Sequence, residues 1–86
     1  MNTVLDYWAD WCRPCKVMAP IVDAVEATGK VLIDRINVEE YEMIASAYEV
    51  TQIPTYILVN DAGEEIRRVS GAMSRKAFEK FCGIEE

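Results

Sequence analysis

The hexapeptide Trp11-Cys12-Arg13-Pro14-Cys15-Lys16 constrains this chain most, because of what flanks it. An apolar run, Val4-Leu5-Asp6-Tyr7-Trp8-Ala9, leads in, and Val17, Met18, Ile21, Val22 and Val25, at helical spacing, lead out. The cysteine pair therefore stands where a strand hands over to a helix, with Cys12 at the helix start and Cys15 one turn in. Free N–H groups and the positive end of the helix dipole favour a thiolate at the first position, and the cation of Arg13 adds to that pull. Cys12 is thus the expected nucleophile. Pro14 suits a first turn, which has no use for its missing N–H and whose φ the ring already holds, and it stiffens the loop between the sulfurs. Two cysteines at this spacing can close a small ring, storing two electrons as a disulfide and releasing them as a dithiol.

Two blander readings compete with a redox pair. Tetrahedral zinc needs about four ligands, and the chain has no histidine and a single cysteine beyond the pair, so no metal is expected. A purely structural bridge is the other reading, but a disulfide enclosing two residues restrains the unfolded chain very little. The redox role is favoured. Cys82 shares an apolar helix face with Phe78 and Phe81 and reads as a buried, inert thiol.

At 86 residues, of which 51% are apolar, the sequence reads as one domain over positions 1–86 with a single modest core. The net charge of −6 argues against nucleic acid, which requires clustered Lys and Arg, and Arg67-Arg68 is too short for such a patch. No apolar run approaches the ~18 residues of a membrane span, and Met1 lies too near the first strand to leave room for a signal peptide, so a cytoplasmic location is expected. In a reducing compartment a CxxC is more often catalytic than architectural.

The patterns predict a strand over Asn2–Trp8, a helix from Arg13 to about Thr28 stopped by Gly29 and kinked at Pro20, and a strand over Val31–Asn37, together a right-handed βαβ unit. A second helix is expected from Glu39 to about Tyr48, with Tyr41, Ile44, Ala45 and Tyr48 on one face and acids in its first turn. A strand over Thr55–Asn60 turns at Asn60-Asp61-Ala62-Gly63 into an antiparallel edge strand, Glu64–Ser70. Ser74 caps a last helix whose apolar face is Ala77, Phe78, Phe81 and Cys82. The order βαββα following the first βα pair, βαβαββα in all, indicates an α/β fold with a four-stranded mixed sheet and helices on both faces.

Asp6-Tyr7-Trp8-Ala9-Asp10-Trp11-Cys12-Arg13-Pro14-Cys15-Lys16, then Ala19-Pro20, Ile53-Pro54-Thr55 and Gly71, together resemble the thioredoxin family. The resemblance runs from about Val4 to about Cys82 and rests on three separated motifs in the right order. It implies strand order 2-1-3-4. It also shows two departures: Arg13 stands where the family usually has Gly, and the usual N-terminal strand and helix are lacking.

Asp6 interrupts an apolar strand and shares the parity of Val4 and Trp8, so it faces the core or an exposed sheet face. A buried lone carboxylate answers with a raised pKa and can then take and return a proton. The resemblance gives it that proton-transfer role, beneath the second cysteine. Arg35, in the neighbouring strand, either pairs with Asp6, lowering its pKa, or is a surface charge; unlike the lysine common at that position, it effectively cannot lose a proton.

The resemblance further implies that Pro54 is cis and packs beside the cysteines, that the Ile53 backbone pairs with an extended substrate segment, that Gly71 and Ala72 complete an apolar groove, and that Trp11 shields the sulfurs while Trp8 supports the core. The mechanism it implies is thiol–disulfide exchange: Cys12 attacks a target disulfide, and Cys15, the resolving thiol, displaces the reduced target. Expected partners are disulfide-containing protein substrates and a reductase of the thioredoxin reductase type; no cofactor beyond the Cys12–Cys15 disulfide is expected, and the chain is expected to be monomeric. Arg13 and Pro14 are the tuning residues, Arg13 making the couple somewhat more oxidising. A disulfide oxidase or isomerase, a glutaredoxin-like protein and a non-catalytic partner subunit using the same groove are the alternatives.

Overall fold

Thr3–Trp8 forms β1, the strand on which the others assemble: Val4 and Tyr7 are both wholly buried yet point to opposite faces, as alternation along a strand requires. The computed structural model describes residues 1–84. After β1 come α1 (Arg13–Glu26), β2 (Leu32–Asn37), α2 (Glu42–Ala47), β3 (Thr55–Val59), β4 (Glu65–Ser70) and α3 (Arg75–Cys82). The sheet has four strands in the order β2-β1-β3-β4, with β1 and β2 parallel and the β1/β3 and β3/β4 pairs antiparallel. All five residues of β3 are buried, as expected of a strand covered on both sides.

One face packs Val4, Tyr56 and Leu58 against Met18, Val22 and Val25 of α1 and Phe78 and Phe81 of α3; the edge of the Phe78 ring meets Tyr56 at 4.9 Å between centroids. The other face packs Tyr7, Ile36, Ile57 and Val59 around Ala45 of α2. Helices thus lie on both sides of the sheet. The register sets Asp6 beside Arg35 on β2 and beside Tyr56 on β3, so all three lie on the α1/α3 face.

The element order and sheet are those the sequence predicts, while details of the helices differ. α1 contains Pro20, which is exposed, and ends two residues before Thr28. α2 begins three residues later than expected, because Asn37 Oδ1 accepts the Glu39 N–H and holds the chain in a side-chain turn before the helix starts. Of the expected inner face of α2 only Ala45 is buried; Tyr41, Ile44 and Tyr48 stay partly open to solvent, since so short a helix covers little of the sheet. In α3, Ser74 Oγ accepts the Ala77 N–H as a cap, and Ala77 itself points outward.

Candidate active site

Cys12 is the N-cap of α1 and closes a turn in which its N–H donates to Ala9 O at 3.2 Å. Its extended backbone (φ −83°, ψ 103°) lets the helix begin at Arg13, with Pro14 within the first turn. The Cys15 N–H donates to Cys12 Sγ at 3.2 Å, so the sulfur occupies the place that a Ser or Asp oxygen takes in an ordinary cap. Cys12 and Cys15 are joined as a disulfide, their Cα atoms 5.3 Å apart. Little of either is accessible, 3% of Cys12 and 8% of Cys15, and with Ala9 they form a small cluster under Trp8, Val38 and Ile53. Arg13 and Pro14 are exposed.

The loop before β3 supplies the opposite wall. The Ile53–Pro54 bond is cis and Pro54 is buried. Thr55 Oγ1 donates to Gln52 O at 2.6 Å, and the Gly71 N–H donates to Pro54 O at 2.9 Å, fastening this loop to the end of β4. Gly71 has φ +93°, a conformation that glycine adopts without strain. Ala72 is exposed beside it. Trp11 is 67% exposed and lines a groove of ≈ 300 Å³ with Val38, Ala45, Val50, Gln52 and Ile53. Trp8, partly buried, packs against the cysteine cluster.

On the other side of the pair lies a cleft of ≈ 220 Å³ whose walls include Asp6, Trp8, Asp10, Cys15, Lys16 and Arg35. Asp6 is 7% exposed, and burial pushes its carboxyl up to about 6, against a smaller downward pull from Arg35 and an upward push from Asp23. Neither an ion pair nor a hydrogen bond to Asp6 is found among the described residues. Arg35 turns instead to α1, where Nη2 donates to Asp23 Oδ1 at 2.6 Å and Nη1 to Glu26 Oε2 at 3.1 Å. The question left open by the sequence, whether Arg35 pairs with Asp6 or serves the surface, is answered by this bond pair.

A family model described as Thioredoxin matches residues 1–83. The chain belongs to the thioredoxin family. It is 36% identical over 80 residues to the thioredoxin of Buchnera aphidicola, covering 91% of this chain and 73% of that protein, and 41% identical over 76 residues to that of Chlamydia caviae, covering 87% and 74%. Among solved structures, a mutant thioredoxin from Halobacterium salinarum superposes with a TM-score of 0.89 at 32% identity, covering 94% of this chain and 71% of that one. Mitochondrial thioredoxin 3 from Saccharomyces cerevisiae, in its oxidized form, gives 0.83 at 36% identity, covering 95% and 76%. Thioredoxins are disulfide oxidoreductases that work through a redox-active disulfide, and this member of the family carries its pair, Cys12–Cys15, at the start of α1, consistent with thiol–disulfide oxidoreductase activity.

Sequence reasoning missed three contributors. Val38, one residue past β2, covers the cysteine cluster, and only the sheet brings it there. Asp23 and Glu26 are the partners of Arg35; their spacing of three along α1, on the side turned to β2, was the available signal. Cys82, by contrast, is buried as the sequence predicts, and burial pushes its thiol up to about 11, which leaves it a poor nucleophile.

Proposed function

We propose that this chain acts as a monomeric cytoplasmic reductant of protein disulfides and is itself re-reduced by a reductase of the thioredoxin reductase type. The observation that carries the reading is the sulfur cap: Cys12 Sγ accepts a helix N-terminal N–H, an arrangement that favours the thiolate once the disulfide opens, with Arg13 at the next position adding positive charge. Cys12 then attacks a target sulfur, forming a mixed disulfide. Cys15 attacks Cys12 Sγ, the Cys12–target bond breaks, and the electron pair leaves with the target sulfur as its thiolate. The Cys15 proton passes to the Asp6 carboxylate across the cleft that both residues line, which is the role its burial and raised pKa support.

The substrate lies along Trp11, Ile53, Gly71 and Ala72. Ile53 lies two residues before β3, so its backbone is outside the sheet ladder and is available to an extended segment, an association by strand addition that tolerates varied side chains. Pro54 fixes the path of that loop and Pro14 the path between the sulfurs.

The test is turnover of a protein disulfide by the reduced chain. Cys12→Ser is expected to abolish it, and Cys15→Ser to stop at a mixed disulfide seen as an added mass; turnover surviving in Cys12→Ser would remove the catalytic reading. Arg13 favours a second reading, disulfide oxidation or isomerisation, because stabilising the Cys12 thiolate makes the couple more oxidising. The reduction potential separates them: about −270 mV, a reference value carried over from thioredoxins, marks a reductant, and about −180 to −120 mV an isomerase or oxidant.

A further inference from the structure

Asp6 and Arg35 are register partners on adjacent parallel strands, and both line the cleft beside Cys15. An arginine so placed is the natural counter-ion for a buried carboxylate, and a guanidinium brought against Asp6 would hold it ionised and strip it of basicity. The guanidinium is nevertheless drawn to α1 by two carboxylates, Asp23 at 2.6 Å and Glu26 at 3.1 Å. Both pairs are partly exposed, and exposed ion pairs contribute little to stability, so their geometry matters more than their energy.

We propose that Asp23 and Glu26 are positioning residues for the exchange reaction: by holding Arg35 against α1 they keep its guanidinium from pairing directly with Asp6 and so limit its pull, leaving Asp6 basic enough to accept the Cys15 proton. This deepens the proposed function and rests on the proton-transfer role of Asp6. The step concerned is the second one: the Cys15–Cys12 S–S bond forms, the Cys12–target bond breaks, two electrons go to the target sulfur, and the Cys15 proton goes to the Asp6 carboxylate. The groups around Asp6 are Arg35 on β2, Tyr56 on β3, Cys15 and Lys16 on α1 and Asp10 in the loop between β1 and α1, with Asp23 acting at longer range. Among the described residues the side-chain hydrogen bonds and ion pairs of Arg35 go to these two α1 carboxylates, so neutralising them frees it while the other groups keep their charges.

The experiment is stopped-flow reduction of 5,5′-dithiobis(2-nitrobenzoate) by the full reduced chain, in which the second thionitrobenzoate reports attack by Cys15. With Asp23→Asn/Glu26→Gln, the pH midpoint of that second phase is expected to move acid by about one unit, and the Asp6 carboxyl titration followed by NMR to move with it. Removing Asp23 also removes a like charge, so the same pair of changes is made on Arg35→Met; there the shift is expected to fall to less than about a third. Equal shifts with and without Arg35, or no shift in either, would overturn the proposal. Asp6→Asn separates the two levels: if it slows the second phase while the Asp23/Glu26 changes do nothing, the positioning role alone fails. An Asp6→Asn second phase unchanged at every pH would fell the proton-transfer role and this proposal with it.

Discussion

The two faces of the sheet are built to different standards. Toward α1 and α3, ten buried side chains interlock around Met18 and Phe78; toward α2, five do so around Ala45, and Ile44, Tyr41 and Tyr48 remain partly in water. The reactive cysteines grow from the helix on the better-packed face, while the loop that overhangs them follows the more loosely packed one. The difference shows where placement is most constrained. A nucleophile that must meet a neighbouring thiol needs a helix end that does not move, whereas the wall facing a variety of targets has no such need.

The comparison breaks if the faces respond alike to truncation. Phe78→Ala is expected to destabilise the oxidised chain by about 3–5 kcal/mol, and Ile44→Ala, at a side chain 42% exposed, by less than about 1 kcal/mol, both read from urea unfolding. A similar loss at the two sites would remove the distinction.

Asp6 sharpens it, being an ionisable group inside the better-packed face. Its folded pKa of about 6 lies above the ordinary 3.8, so between those values the native state holds the proton that the unfolded state has released. Stability must therefore rise as pH falls from about 7 to about 4, by up to about 3 kcal/mol from this group. The wild type and Asp6→Asn, unfolded in urea across that range, are expected to differ most at neutral pH, with the variant more stable, and to converge toward pH 4. A constant difference would show that Asp6 is not buried as described.

The smallest effect belongs to the α2 side. Glu49 has φ +56° just after α2, a left-handed residue where glycine is favoured, and the Val50 N–H closes the helix end on Ala45 O at 2.9 Å. Glu49→Gly is expected to add about 1 kcal/mol of stability, measured by thermal unfolding; a loss instead would mean that its side chain does more than the backbone strain takes away.

Much of this was legible because it was written locally. The strand–helix junction at Cys12 follows from a switch of hydrophobic period within a few residues, and the βαβαββα order from turn and cap residues such as Gly29, Asn60 and Ser74. What escaped depends on distance. Asn37 delays α2 by a side-chain turn that competes with an equally plausible helix start at Glu39, so propensity pointed to the wrong residue. Trp8 and Trp11 have the same chemistry and differ in exposure, because Trp8 ends β1 whereas Trp11 lies in the turn beyond it. Arg35 had two plausible destinations, and the choice rests on two acids nine and twelve positions away.

Thr55 has a single hydroxyl hydrogen, and it goes to Gln52 O, which can only accept. Ser70 Oγ, 2.9 Å from Thr55 Oγ1, must then be the donor in that contact, so a one-way chain of protons runs from Ser70 to Thr55 to the carbonyl of Gln52. Directionality makes the chain brittle: no member can be reversed without leaving the carbonyl unanswered. The last residue of the edge strand β4 and the loop before β3 are joined in one ordered sequence of donors, so the sheet edge helps fix where that loop stands.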